Sequence, residues 1–473
     1  MIPLTESELR TVAADRAARV VSVSQEPVNG SIGLHEAMAR AIKYNLDHRI
    51  ETSNVVLAKA SKQLTDLDIL PDLVVNSEFS RRSNDPGGFS VNPDTGLTSA
   101  NASRSTEREA FDSDLTLSWD VLDFGLSYYR SKQSANEVLI AMEQRRATVN
   151  RLLENVRTAY WRAVSHDRLS GRIATLERKA ERGLKESRSL SDGGFSSPKA
   201  GLVYQRDLLR VIGEMKALQR DLEVSKFQLG ALMNLQPGQK FTVRIPNRKS
   251  LPAVRQPVSE LVETAYINRP ELREITYEQR NLELDEKSAV LQLLPSVRPY
   301  LAGNISDNSL LSEQDWLSAG TRISWDLMNL FTNPRRVSQF KGRAALLDAR
   351  ALALTHAVAT QVHVAHARYS NLRGETRYAA EYASVSRKIT QAISDETSAG
   401  LGGVQEEIFE ELGAILAELR FDSRYAELQS AYAGLFAAIG QNNYPSQMSG
   451  NESLEELEKT IHDIWVNRGE GFH

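Results

Sequence analysis

From Trp119 onward the chain repeats itself. Ser118, Trp119 and Asp120 recur as Ser324, Trp325 and Asp326, a shift of 325 − 119 = 206 residues. The same shift relates, without a gap, Arg130 to Arg336, Gln133 to Gln339, Val156 to Val362, Arg162 to Arg368, Gly194 to Gly400 and Ala231 to Ala437. Self-similarity at so long a fixed period restricts the chain to folds built from two copies of one plan. Upstream, Leu70-Pro71 matches Leu294-Pro295 with a shift of 295 − 71 = 224, so 224 − 206 = 18 extra residues lie in the first half, between Pro71 and Ser118. The stretch Arg81 to Arg108 there is rich in Ser, Asn, Gly and Pro, which is loop chemistry. A longer loop is expected.

Within each half the periodicity changes character twice. After Trp119 apolar residues recur at three- and four-residue intervals (Val138, Ala141, Met142, Val149, Leu152, Leu153, Val156, Tyr160), and no proline occurs from Leu122 to Ser197. A helix from about Tyr128 to Leu190 would span roughly 95 Å at 1.5 Å per residue. It should stop at Ser191-Asp192-Gly193-Gly194 and restart at Ser196-Ser197-Pro198, which supply a C-terminal glycine, a serine cap and a first-turn proline. The second half repeats this, with a helix from about Pro334 to Thr397, a turn at Ala399 to Gly403 and a return helix to Ile439. Each half is one long antiparallel helical hairpin.

The segments before these helices alternate with period two. Phe111, Leu115, Leu117 and Trp119 alternate with Asp112, Asp114, Thr116, Ser118 and Asp120, and Leu317, Ala319, Ile323 and Trp325 with Ser318, Gly320, Arg322 and Ser324. Leu73, Val75 and Phe79, and then Val297, Leu301 and Ile305, do the same after each Leu-Pro. Each half therefore supplies two strands of about ten residues, a length that crosses a bilayer when tilted and equally suits a small soluble sheet. A helix is expected before each Leu-Pro, about Leu34 to Leu67 and Val258 to Leu291, the latter broken at Arg269-Pro270. The resulting division is an irregular segment 1–31, a first repeat 32–235, a Pro-rich and basic linker 236–257, a second repeat 258–440 and a polar tail 441–473 with one helix, about Leu454 to Val466.

Composition narrows the function. With 57 basic and 61 acidic residues the net charge is −4, so no global field argues for nucleic acid as a partner. The absence of cysteine removes disulfides, thiolate metal sites and thiol nucleophiles. No run of about 18 apolar residues exists, and MIPLTESELR lacks the basic and apolar regions of a signal peptide. The chain is then either cytosolic or numbered after a signal has been removed, and any membrane role falls to β-strands. No grouping of nucleophile, base and orienting residue occurs and no phosphate-binding glycine loop, so no enzyme activity and no cofactor are expected. His356, His363 and His366 share a helix face, but a spacing of seven is too long for one ion, and no metal is expected there. Four strands in lipid would leave two open edges of unsatisfied backbone groups, and closed membrane barrels need at least eight strands. Transmembrane strands would require several copies to share one barrel, and three copies would give 3 × 4 = 12 strands.

This plan resembles the TolC-like outer-membrane efflux proteins, the outer membrane factors, from about Ile32 to Gly440. The resemblance rests on the duplicated order helix, strand, strand, long helix, tip, helix, on the strand ends Trp119 to Asp123 and Trp325 to Asn329, and on Gly194 and Gly400 at the tips. It implies a mainly α fold with a small membrane β part. Duplicated hairpins would form a trimeric α-barrel through the periplasm, with four strands per chain in a 12-stranded transmembrane β-barrel in a Gram-negative outer membrane. It also implies a homotrimeric passive duct for efflux or type I secretion. A periplasmic adaptor docked at the tips would couple the duct to an inner-membrane pump of RND or ABC type. A soluble periplasmic coiled-coil scaffold is the alternative reading.

Four groups of residues become candidates. Gly194, Phe195, Ser196 and Ser197, with Gly400, Leu401, Gly402 and Gly403, are the expected adaptor-docking tips. Glu406, Glu407 and Glu410 follow the second tip and would form acidic rings at a periplasmic gate, attracting cations; Glu406 has Ala200 as its repeat counterpart, so such a ring has three members. Trp119 and Trp325 suit the membrane interface. Some members of the resembled family lock a closed tip through a basic residue at the place held here by Gly402, so any lock must use other residues.

Overall fold

A computed structural model of the chain describes residues 4–22, 25–192, 198–245, 254, 256–401, 403–441 and 452–470. It divides into two compact units. One comprises residues 54–142 and 274–351; the other comprises residues 1–53, 143–273 and 352–473.

The first of these holds the sheet. Strands β2 (Asp72–Arg81), β5 (Glu109–Ser118), β7 (Ser296–Ser306) and β8 (Asp315–Ser324) lie in that order, and every pairing is antiparallel. Paired residues across an antiparallel ladder point to one face. The register therefore carries the sequence alternation intact across the sheet: Leu73, Leu117, Leu301 and Ala319 form one row, and Val75, Leu115, Gly303 and Leu317 the next. The other face collects Asn76, Asp114, Thr116, Asn304 and Ser318. Within the first-half loop two short strands, β3 (Gly87–Gly88) and β4 (Ser103–Arg104), pair with each other, so the expected longer loop contains a small hairpin. Helices flank the strands: the C-terminal part of α3 (Leu46–Leu67), the start of α4 (Val121–Asp192), most of α7 (Pro270–Leu291) and the start of α8 (Met328–Ser398).

The long helices reach further than the sequence pattern implies. Helix α4 has 72 residues and α8 has 71, starting at Val121 and Met328 rather than at Tyr128 and Pro334. Each start lies just beyond a capping carboxylate. Asp120 Oδ1 accepts from the Leu122 and Asp123 N–H groups at 2.9 and 3.1 Å, and Asp326 Oδ1 accepts from Met328 N–H at 3.0 Å. The repeated Trp-Asp pair thus ends a strand and caps a helix, and Pro334 is accommodated inside the second turn of α8.

In the helical unit, α2 (Leu34–Tyr44) and α6 (Val258–Asn268) precede α3 and α7, and α5 (Pro198–Leu232) and α9 (Val404–Ala438) return from the tips. One uninterrupted helix was expected from Leu34; it is instead broken at Asn45, in the same way as at Arg269. The two breaks have φ/ψ of −63/131 and −67/128 and are related by 269 − 45 = 224 residues. Proline enforces the second, whereas at the first the Asn45 side chain accepts from Asp47 and His48 N–H and caps the new helix. Strand β1 (Ser31–Ile32) pairs in parallel with β6 (Thr242–Val243) of the linker. The segment 1–31, expected to be irregular, carries helix α1 (Glu6–Ser22). Its start is a capping box: Thr5 N–H donates to Glu8 Oε2 at 2.7 Å, while Glu8 N–H donates to Thr5 Oγ1 at 3.3 Å. The polar tail forms α10 (Leu454–Glu470), whose Leu454, Leu457 and Ile461 enter one core with Met38 and Ile42 of α2 and Val156 and Tyr160 of α4.

Candidate functional site

The sheet exposes its apolar face. Phe79, Leu115, Leu301 and Ile305 are all exposed, Ile323 is 69% exposed and Leu317 80%. The one polar pair in the middle of this face satisfies itself, Ser77 and Ser113 sharing a 2.9 Å hydrogen bond between directly opposed strands. On the opposite face polar side chains bond along and across the strands: Asn76 Nδ2 and Thr116 Oγ1 both donate to Asp114, and Asn304 Nδ2 donates to Ser318 Oγ at 2.9 Å. Strands β2 and β8 stand at the edges with no further partner strand among the described residues. The sheet thus presents one apolar exposed face and one hydrogen-bonded polar face.

At the strand-to-helix corners, Trp119 stacks edge-on against Phe124 at 5.4 Å, and Trp325 Nε1–H donates to the Leu293 carbonyl at 3.0 Å. Both indoles are about half exposed. Beside Trp119, burial pushes the Asp120 carboxyl up, but hydrogen bonds from Ser296 Oγ, Asp123 N–H, Arg298 and Leu122 N–H outweigh it and hold the group below its ordinary value. A charged carboxylate therefore fixes this corner to β7.

At the second tip, Gly400 adopts φ +78 and closes the turn, with Leu401 N–H donating to the Glu396 carbonyl at 2.9 Å. Leu401 is 84% exposed, and Gly403 is the N-cap of α9. Gly402 and the first-tip candidates Gly194, Phe195, Ser196 and Ser197 lie outside the described residues.

The three glutamates after this tip separate into two kinds. Glu406 is exposed and Glu410 half-buried, and neither joins an ion pair among the described residues. Glu407 accepts from Lys179 Nζ of α4 at 3.0 Å and from Ser394 Oγ of α8 at 3.0 Å, and the same ammonium lies 3.1 Å from Glu411. Sequence reasoning missed Lys179, because its partners stand more than 200 residues away and are set by the register between hairpins. That register continues down the helices: Arg172 pairs with Glu418 at 2.5 Å, and Arg168 with the buried Asp422. Each of these pairs has residue numbers summing to 590 (179 + 411, 172 + 418, 168 + 422), the signature of two antiparallel helices in constant register. Beneath the ladder, Leu169, Ile173 and Leu176 pack with Ile408, Leu412 and Ile415.

Among the described residues no helix is long and apolar enough to cross a membrane. No protein-family model matches the chain, and no curated protein sequence does. Solved structures do. The chain is similar to CusC, described as undergoing transmembrane channel formation, at 19% identity over 89% of this chain and 95% of that one, with a TM-score of 0.64. It is similar to the CmeC outer membrane channel of Campylobacter jejuni at 13% identity over 94% and 95%, with a TM-score of 0.68. The open-state MtrE outer membrane channel of Neisseria gonorrhoeae matches at 16% identity over 88% and 91%, with a TM-score of 0.62. The chain therefore has the TolC-like fold of the outer membrane factors.

Proposed function

We propose that this chain is the outer-membrane exit duct of a tripartite export system, active as a homotrimer. The observation that supports it most is the four-stranded sheet with an exposed apolar face, a hydrogen-bonded polar face and two open edges. Ten residues at about 3.4 Å each, tilted about 45°, span roughly the 25 Å apolar band of an outer-membrane barrel. Lipid satisfies the apolar face, and joining the β8 edge of one copy to the β2 edge of the next satisfies the edges; three copies close 3 × 4 = 12 strands. A soluble scaffold would leave both features exposed to water, so the duct is the better reading.

In this reading Trp119 and Trp325 sit at the periplasmic membrane interface, and the long hairpins form a periplasmic tube. The exposed Leu401 between Gly400 and Gly403, together with the first-tip residues 194–197 and Gly402, docks a periplasmic adaptor. Glu406 and Glu410 form three-membered acidic rings at the entrance, whereas Glu407 is committed to Lys179 and works as a clasp between hairpins. The duct has no catalytic role of its own, and energy comes from an inner-membrane pump of RND or ABC type, for efflux or for type I secretion. Expression behind a cleavable signal sequence tests the reading. The chain should fractionate with outer membranes and run as a trimer in detergent; a soluble monomer in the periplasmic fraction would sink it.

A further inference from the structure

His35, the second residue of α2, and His462 of α10 bring their Nδ1 atoms to 3.4 Å, with ring planes at 83°. That is long for a hydrogen bond. It is, however, the separation of two ligand nitrogens bound to one tetrahedral ion at about 2.05 Å each, which is roughly 3.4 Å. Glu458 lies four residues before His462, hence on the same face of α10, and its Oε1 stands 4.0 Å from where a side chain on Gly33, just before α2, would begin. A carboxylate thus borders the imidazole pair. No three described His, Asp or Glu side chains already converge on one point, so Glu458 completes a ligand set only by rotating its own side chain.

We propose that His35 and His462, joined by Glu458, form a site for a late first-row divalent cation such as Zn2+ or Cu2+, clasping α10 onto α2. Two imidazoles and a carboxylate are a donor set suited to these ions rather than to Mg2+ or Ca2+. Arg40, Arg157 and Arg244 oppose a cation in this cluster, and Glu36 and Glu458 offset them. Apolar packing of Leu454, Leu457 and Ile461 holds α10 against α2 without metal, so removal of the ligands leaves the fold in place. The ion would tighten an existing joint between the two ends of the chain.

The test uses the untagged full-length protein in detergent, titrated with ZnCl2 by calorimetry and with CuCl2 by electron paramagnetic resonance. We expect one ion per chain and a Cu2+ spectrum coupled to two imidazole nitrogens. His35→Ala and His462→Ala should each lose one nitrogen coupling and weaken binding on the order of tenfold or more. Glu458→Gln should weaken it less and keep both couplings. Absence of saturable binding in the wild-type protein overturns the proposal. So does a two-nitrogen signal that persists in the His35→Ala/His462→Ala double variant, which would move the ion to the face bearing His356, His363 and His366.

Discussion

Leu301 is the residue through which the membrane reading can be tested most sharply. It occupies the middle of the eleven-residue strand β7, on the apolar face, directly opposed to Leu117 on one side and Ala319 on the other. In a transmembrane barrel the middle of a strand lies near the bilayer midplane, where an arginine on the lipid face costs about 2–4 kcal/mol. The assembly carries three copies, so Leu301→Arg costs the trimer roughly 6–12 kcal/mol, and each chain loses roughly 30- to 700-fold in its insertion equilibrium. On a soluble sheet the same exposed substitution would fall within about 0.5 kcal/mol of neutral. The control is Ser118→Arg, which sits on the polar face with Asp72 directly opposite to receive the charge. Both variants, expressed behind a signal sequence, are scored by the yield of detergent-resistant trimer in washed outer membranes. Leu301→Arg should lose the trimer and Ser118→Arg should keep it. Wild-type yield from Leu301→Arg, or equal failure of the two variants, would refute the assignment of faces.

Two further perturbations address the helices. The Lys179 ammonium loses by burial but gains more from its hydrogen bonds to Glu407 and Glu411, so it is held above its ordinary value; the bond from Lys179, opposed by burial and aided by Ser394, holds Glu407 below the ordinary carboxylate value. The lysine's contribution is complete below its ordinary value and lost only as pH rises through the raised one. The glutamate's is complete above its ordinary value and lost as pH falls through the depressed one. The clasp is therefore intact at neutral pH and opens on acidification, and hydrogen-exchange protection in the first turns of α9, taken relative to the intrinsic rate at each pH, should fall there in the wild type but already be low at neutral pH in Glu407→Gln. Separately, Gly440 closes α9 at φ +71, and a β-carbon there would meet the carbonyl carbon of Asn268 at 2.5 Å. Gly440→Ala should cost about 1–3 kcal/mol from backbone strain alone and more from the contact. Gly238→Ala, with φ +84 but open space around it, should cost only the strain, and protease resistance compares the two.

What the sequence discloses follows from the range of each interaction. Strand faces were legible because alternation depends on adjacent residues, and the observed register carries Leu73, Leu117 and Leu301 into one row as that alternation requires. The break at Arg269 was legible through Pro270, whereas its counterpart at Asn45 was not, since asparagine makes the same break through side-chain bonds that also occur in unbroken chains. The capping box Thr5 to Glu8 was available in the sequence, but no apolar face follows it to mark a packed helix. Glu406 and Glu407 are neighbours with the same chemistry, and only the hairpin register reveals that one is held by Lys179. His35 and His462 lie 427 residues apart, beyond any local signal.

The duplication governs how a trimer would be held together, and its imperfections matter most. In the chain, α4 and α9 are joined by the ladder Lys179 to Glu411, Arg172 to Glu418 and Arg168 to Asp422. Shifted by 206, the basic positions become Val385, Tyr378 and Gly374 on α8; shifted back by 206, the acidic ones become Gln205, Ile212 and Lys216 on α5. No rung of the ladder survives the shift. Tyr378 and Val385 are instead exposed apolar residues of the single chain, as are Leu202 and Leu209 on α5. On the proposed trimer the seam between α8 of one copy and α5 of the next is the repeat equivalent of the ladder seam, and it lacks the ladder's charge pairs, Val385, Tyr378 and Gly374 standing where the basic residues stood and Gln205, Ile212 and Lys216 where the acidic ones stood. Six hairpins then meet at three seams within chains that carry the ionic ladder and three seams between chains that do not. Screening by salt weakens the more exposed rungs of the first kind, such as Arg172 to Glu418, whereas the second seam has no rung of this ladder to lose. High salt should therefore loosen each hairpin pair toward its tip while leaving the trimer assembled, and trimer dissociation by salt ahead of any tip loosening would contradict this division of roles.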